Sequence, residues 1–276
     1  MSDTPHKLRT AIFISGRGSN MKAIVEAARS PDFPASIDLI VSNNPDAEGL
    51  KFAKLNNIPT YVVPHGNYET REDFETALLG VLAPYEIELI CLAGFMRLLT
   101  PLFISAYAGR IINIHPSLLP LYKGTNTHQR ALDAGEAYTG CSVHYVIPEM
   151  DAGDVILQEK VVIEDNDTAD TLATKTLAVE HKLYPAAIRI VADHLSQYTH
   201  EETSNAETTA QLKKHPFEKS HGGSHMANAP ETKSHGNIKD TEIVNSWMMW
   251  VRFTTVMKYS VIIIAAILIL MALVWL

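Results

Sequence analysis

Over residues 8–195 the chain alternates short apolar runs with stretches whose apolar positions fall at helical spacing. Residues 8–15 form the first run, an apolar strand that gives way at Gly16, Arg17, Gly18, Ser19 and Asn20 to a helix predicted over 21–29. A strand over 37–42, a helix over 47–56 and a short strand over 60–63 follow. A helix over 70–83 then leads to a run at 87–93 that is apolar enough to be buried on both faces. Doubly buried strands joined by helices belong to parallel sheets, because each crossover helix covers a face that a hairpin would leave wet. The pattern changes after 111–114. Residues 141–147 and 155–163 read as longer strands, an expected antiparallel pair, before a last helix over 168–194. The predicted fold class is α/β, a mostly parallel sheet flanked by helices.

Beyond residue 195 the character of the chain shifts twice. Residues 196–245 are rich in His, Lys, Glu, Thr, Ser and Asn and nearly free of large apolar side chains. Such a stretch buries too little to offset the entropy of ordering, so a disordered polar tether is predicted. Within 246–276, the run from Tyr259 to Leu276 is almost wholly Ile, Leu, Val, Ala and Met. As a helix it would extend roughly 27 Å at about 1.5 Å per residue, close to the ~30 Å hydrocarbon core of a bilayer. Trp247 and Trp250 before it and Trp275 near its end suit the two interfaces. Arg252 and Lys258 precede the run and neither Lys nor Arg follows it, which by the positive-inside bias keeps the preceding chain on the cytoplasmic side. The division expected is a catalytic domain over 1–195, a tether over 196–245 and a membrane-anchoring helix over 246–276. A buried globular helix is the other reading of the apolar run. Residues 1–9 are polar with no apolar stretch ahead of the first strand, so no secretory signal is expected and the catalytic part is placed in the cytoplasm.

The net charge of -8 gives no reason to expect nucleic acid, whose phosphates demand clustered Lys and Arg. A small anion needs only a local site. Cys91 and Cys141 fall inside apolar strand runs and read as buried reduced thiols rather than nucleophiles. The histidines of the polar stretch fit no standard metal-ligand spacing, and no metal is expected.

Three features carry candidate chemistry. The glycines of 16–20, between a strand and a helix, let the backbone turn tightly and aim free N–H groups at an anion. Met21 stands where a dinucleotide fingerprint needs glycine, so a phosphomonoester fits better; a plain strand-to-helix turn is the alternative. In 112–120, Asn113 and His115 are two apart on an extended segment and would project together, while Pro116 and Pro120 force an irregular loop. Side by side, an amide donor for an oxyanion and an imidazole for proton transfer suit acyl transfer; a solvated loop pair is the alternative. Asp151, between two predicted strands, would orient His115 if the fold brings them together, or would serve its own turn if it does not.

In these stretches the chain closely resembles the folate-dependent glycinamide ribonucleotide formyltransferases. SGRGSN (15–20), LAGFMRLLTP (92–101), YAGRIINIHPSLLP (107–120), THQRAL (127–132), GCSVHYV (140–146), EMDAGDVILQ (149–158) and EHKLYP (180–185) carry the resemblance, in that order. It implies a Rossmann-like formyltransferase fold, with Asn113, His115 and Asp151 catalytic. It further implies Gly18, Ser19 and Asn20 at the substrate phosphate and Glu180 at the ribose or glycinamide end. Arg71, Met96, Arg97, Leu98, Leu99, Asn113, Ile147, Pro148, Glu149, Met150 and Asp151 would form the pocket for 10-formyltetrahydrofolate. The implied reaction is direct attack of a phosphorylated glycinamide amine on the formyl carbon. Sugar N-formyltransferases and formyltetrahydrofolate hydrolase share the Asn-x-His and Asp elements and are the enzymatic alternatives. The C-terminal run distantly resembles a small single-helix subunit of bacterial cytochrome c oxidase, which implies a respiratory membrane complex as partner.

Overall fold

The computed structural model describes residues 6–214. Its strands are β1 (Leu8–Ile14), β2 (Ala35–Ser42), β3 (Thr60–Val62), β4 (Leu89–Leu92), β5 (Ile111–His115), β6 (Tyr138–Tyr145) and β7 (Val155–Val162). Its α-helices are α1 (Ser19–Ala28), α2 (Gly49–Leu55), α3 (Arg71–Leu82), α4 (Pro101–Ala106), α5 (Thr127–Asp133) and α6 (Ala169–Lys214). The strands form one sheet in the order β3-β2-β1-β4-β5-β6-β7. β1 to β5 are parallel, and β6 and β7 close the far side antiparallel. The expected antiparallel pair is there, and β6 also runs against β5.

Period-two alternation sends successive residues to opposite faces. Ile12, Ile40, Cys91 and Ile112 join one core, packed with α1 and the first half of α6. Phe13, Val41, Ile90 and Ile111 join the other, with Phe74, Leu78 and Leu82 of α3 and Phe103 of α4. Tyr184 of α6 is fully buried, and its hydroxyl lies 3.0 Å from the carbonyls of both Leu92 and Ile112, tying the helix between β4 and β5. Both cysteines are buried and free. Burial pushes their thiols up, Cys141 to about 12, so neither supplies a thiolate.

Order reversal locates the site. The chain leaves β1 towards β2 and β3, then crosses back to lay β4 on the other side of β1. At such a switch the loops after the two strands diverge and leave a crevice. Here those loops are 15–18 and 93–100, the glycine loop read as an anion site and the segment that carries the expected folate residues Met96 to Leu99.

The last helix runs to Lys214, past the expected end at 194 and into the stretch assigned to a disordered tether. Residues 196–214 are helical because Glu, Ala, Gln and Lys favour a helix once one is nucleated, and the first proline beyond is Pro216. The rest of the expected tether and the expected anchor, 215–276, lie outside the described residues. Among the described residues no helix is long and apolar enough to cross a membrane.

Candidate active site

β5 ends at His115, and the register places Asn113 opposite His144 of β6. Asn113 Nδ2 lies 3.1 Å from His144 Nε2, and His144 Nδ1 lies 2.8 Å from the Tyr145 carbonyl. A carbonyl only accepts, so Nδ1 carries the proton and Nε2 accepts from the amide. Burial holds His144 below the usual imidazole range, against the pull of the Tyr145 carbonyl and Asp151. The neutral ring thus fixes which way the Asn113 amide points and leaves its second N–H free to donate.

His115 is buried, and its Nε2 donates to the Tyr122 carbonyl at 3.0 Å. Nδ1 faces Asp151 Oδ2 at 3.5 Å, and Asp151 Oδ1 lies 3.7 Å from His144 Nε2. At 3.5 Å the pair is longer than a normal N–H···O bond, so the Nδ1 side can serve a third group. Asp151 Oδ2 also accepts the Gly124 N–H at 2.9 Å. Asn113, His115 and Asp151, scattered along the sequence, meet at one place.

Backbone geometry aims the acid. Asp151 sits at φ 48, a left-handed conformation that a short polar residue tolerates. Two residues on, a Cβ at Gly153 would lie 1.9 Å from the Tyr145 carbonyl oxygen, so only glycine lets the turn close against β6. Val146 N–H bonds the Ile111 carbonyl at the start of β5, whereas Asp151 stands beside His115 at its end. Residues 147–150 therefore travel back along the strand.

That returning segment forms a cavity wall. Ile147, Pro148, Glu149, Met150 and Asp151 face Arg97, Leu98 and Leu99 across a cavity of about 110 Å³, with Asn113 and His144 also lining it. Ten of the predicted pocket and catalytic side chains are thereby brought to one cavity or its rim (Arg97, Leu98, Leu99, Asn113, His115, Ile147, Pro148, Glu149, Met150 and Asp151). Two are not. Met96 turns its side chain to solvent, 71% exposed, and contributes its backbone N–H to Ser15 Oγ at 2.8 Å. Arg71 begins α3, is exposed and does not line this cavity. A larger open depression of about 550 Å³ between β3 and α3, lined by Tyr61, Tyr68 and Tyr85 among apolar neighbours, holds none of the predicted residues.

The anion loop lies at the start of α1. Gly18 is its N-cap at φ 68, and no side chain caps the helix, which leaves its first N–H groups for a ligand. The loop rests on Gly49, whose N–H donates to the Gly16 carbonyl at 3.1 Å. A Cβ there would meet Ile14 Cδ1 at 2.6 Å. Asn20 Nδ2 donates to Glu180 Oε2 at 2.6 Å, while buried Asn20 Oδ1 has no partner. Burial holds the Glu180 carboxyl above the usual range, opposed by the Asn20 bond and by the nearby charge of His115.

Residues 8–188 match the Formyl transferase family. The chain belongs to that family. Phosphoribosylglycinamide formyltransferase of Escherichia coli K12 is 40% identical over 186 residues, covering 67% of this chain and 88% of that protein. The human trifunctional purine biosynthetic protein adenosine-3 is 45% identical over a similar span, but this chain covers only 18% of its length. The crystal structure of phosphoribosylglycinamide formyltransferase from Brucella melitensis superposes with a TM-score of 0.65 at 48% identity, over 67% of this chain and 96% of that one.

Sequence reasoning gave no role to His144, nor to the Tyr122 carbonyl and Gly124 N–H that clamp His115 and Asp151 in this formyl transferase. A strand register could have paired His144 with Asn113, but nothing local fixes that register. Buried Glu75 was missed as well. Its carboxylate accepts the Thr100 N–H at 2.6 Å and the Thr100 hydroxyl, pinning the end of the 93–100 loop to α3.

Proposed function

We propose that residues 8–195 transfer the formyl group of 10-formyltetrahydrofolate to the glycinamide amine of 5-phosphoribosylglycinamide, a step of purine nucleotide synthesis. The single observation that carries this reading is the meeting of Asn113, His115 and Asp151 at the rim of the 147–151 cavity. The amine attacks the formyl carbon, forming a C–N bond and leaving the electron pair of the carbonyl on oxygen. The free Asn113 N–H and a protonated His115 stabilise that oxyanion, each such donor contributing about 3–4 kcal/mol to lowering the barrier. Collapse breaks the bond from carbon to the folate nitrogen. The proton lost by the amine reaches that nitrogen through His115 or a water held by Asp151. The substrate phosphate is assigned to the N–H groups of Gly18, Ser19 and Asn20, and Asn20 with Glu180 to its ribose or amine end. The folate is assigned to Arg97, Leu98, Leu99 and 147–151, with Met96 and Arg71 outside that wall.

Incubation with 5-phosphoribosylglycinamide and formyl-folate tests this. Formylated acceptor and tetrahydrofolate in equal amounts are expected. Folate release without formylated acceptor would mean a hydrolase, and formylation of amino-sugar nucleotides alone would mean the sugar branch.

For the C-terminal run we infer, from hydropathy and the placement of Arg252 and Lys258, an anchor that tethers this catalytic domain to the inner face of a membrane and, from the distant resemblance to a cytochrome c oxidase subunit, a respiratory complex as neighbour. Fractionation checks it: full-length protein that stays in the supernatant without detergent would rule the anchor out.

A further inference from the structure

Ser15 stands between the two halves of the site and touches both. It follows the last residue of β1 and precedes the first glycine of the anion loop. Its Oγ accepts the Met96 N–H at 2.8 Å and donates to Asn43 Oδ1 at 2.6 Å. Its N–H donates to the Gly94 carbonyl at 3.1 Å, and its carbonyl accepts from Asn44 Nδ2 at 3.2 Å. Every polar atom of this residue is therefore bonded to the end of β2 or to the loop after β4. Asn43 is buried and continues the chain of bonds to His65 Nδ1 at 3.1 Å.

The hydroxyl does two things at once, accepting from a backbone N–H and donating to an amide oxygen. Alanine can do neither, and a carboxylate has no proton to donate. Met96 heads the segment whose next three residues line the cavity, and Gly16, one residue after Ser15, is bonded to Gly49 beneath the anion loop. The Ser15 hydroxyl is thus the side-chain link between 95–99 and the base of the loop at Gly16–Gly18, beside the main-chain bond from its N–H to Gly94.

We propose that Ser15 is a positioning residue that couples the two subsites, so that a ligand in the cavity tightens binding of the phosphorylated substrate. The identity of the two ligands rests on the functional reading above. Coupling of this kind is reciprocal, so the substrate must tighten the folate by the same factor.

Calorimetric titration of the full chain with 5-phosphoribosylglycinamide, alone and with saturating tetrahydrofolate, reads the coupling directly, because tetrahydrofolate has no formyl group to transfer. The parent is expected to bind the ribonucleotide about fivefold or more tightly with the folate present. Ser15→Ala is expected to lose most of that factor with little change in Tm, and Ser15→Thr, which keeps the hydroxyl, to retain it. Equal affinities in the parent, or an undiminished factor in Ser15→Ala, would overturn the proposal. If Ser15→Ala does not fold, Asn43→Ala removes the acceptor that orients the hydroxyl, and the same two results decide. A parent that formylates without coupling defeats this proposal alone, whereas one that couples without formylating defeats only the functional reading.

Discussion

Asp151 Oδ2 serves two partners, facing His115 Nδ1 at 3.5 Å while accepting the Gly124 N–H at 2.9 Å. The second contact holds the acid in place without using the histidine, so the carboxylate is aimed before any substrate arrives. Replacing Asp151 with Asn keeps the shape and removes the charge. Turnover in Asp151→Asn and His115→Ala is expected to fall by about 10²–10⁴. Affinity for the ribonucleotide should stay within a few-fold of the parent's, because its phosphate is assigned to another loop. Near-normal kcat in either variant would remove that residue from the mechanism.

Burial holds His144, His128 and His181 below the ordinary imidazole value of 6.5. The unfolded chain then binds more protons than the folded one below that value, so stability rises with pH there. Stability is fully present above about pH 6.5 and is lost as the pH falls below it. Melting temperatures between pH 8 and pH 5 should drop on the acid side, and His144→Gln should lessen the drop. An unchanged slope in that variant would show that His144 contributes nothing. Protonation of the folded ring also takes away the Nε2 lone pair that orients Asn113. Because burial lowers that ring's value, kcat should decline only further to the acid side, after stability has begun to fall.

Gly49 supports the anion loop from beneath, and Ile14 Cδ1 would lie 2.6 Å from an added Cβ. Ile14 is fully buried, so its δ-methyl must shift within the core to admit the new carbon. Gly49→Ala should cost about 1–3 kcal/mol of stability, as overpacking does. It should raise KM for the ribonucleotide more than it lowers kcat. Steady-state kinetics with each substrate varied in turn would check it, and a rise confined to the folate KM would contradict this support role.

At Gly153 the added Cβ would meet backbone, with the Tyr145 carbonyl oxygen at 1.9 Å, so the 151–154 turn must move. Gly153→Ala is expected to lose turnover about as severely as Asp151→Asn while leaving the anion loop intact. Unaltered kcat would mean that the turn does not aim the acid.

The sheet was largely legible from the apolar runs, since strands buried on both faces leave few alternatives for their side chains. Helices α4 and α5 were not assigned, because each buries only two side chains, Phe103 and Ile104 in one and Thr127 and Ala131 in the other, too few to mark an apolar stripe. The chemistry of Asn113 and His115 followed from their spacing on a strand, a local property. His144 was invisible by the same logic, since its role depends on pairing with β5 across 31 residues of sequence. The Tyr122 and Gly124 contacts come from main-chain atoms, which every residue possesses, so no residue type could have announced them. Arg71 and Met96 were assigned to the pocket on resemblance, and neither lines the cavity wall. One is an exposed residue at the start of α3, and the other turns its side chain outward while its backbone binds Ser15.

The path of 147–150 back along β5 gives one stretch of chain two duties, flanking the folate and leading to Asp151. Whatever pries that stretch loose also withdraws the carboxylate from the imidazole. A donor whose entry displaced that stretch would therefore meet a disarmed centre, even though the acid is aimed while the stretch stays in place.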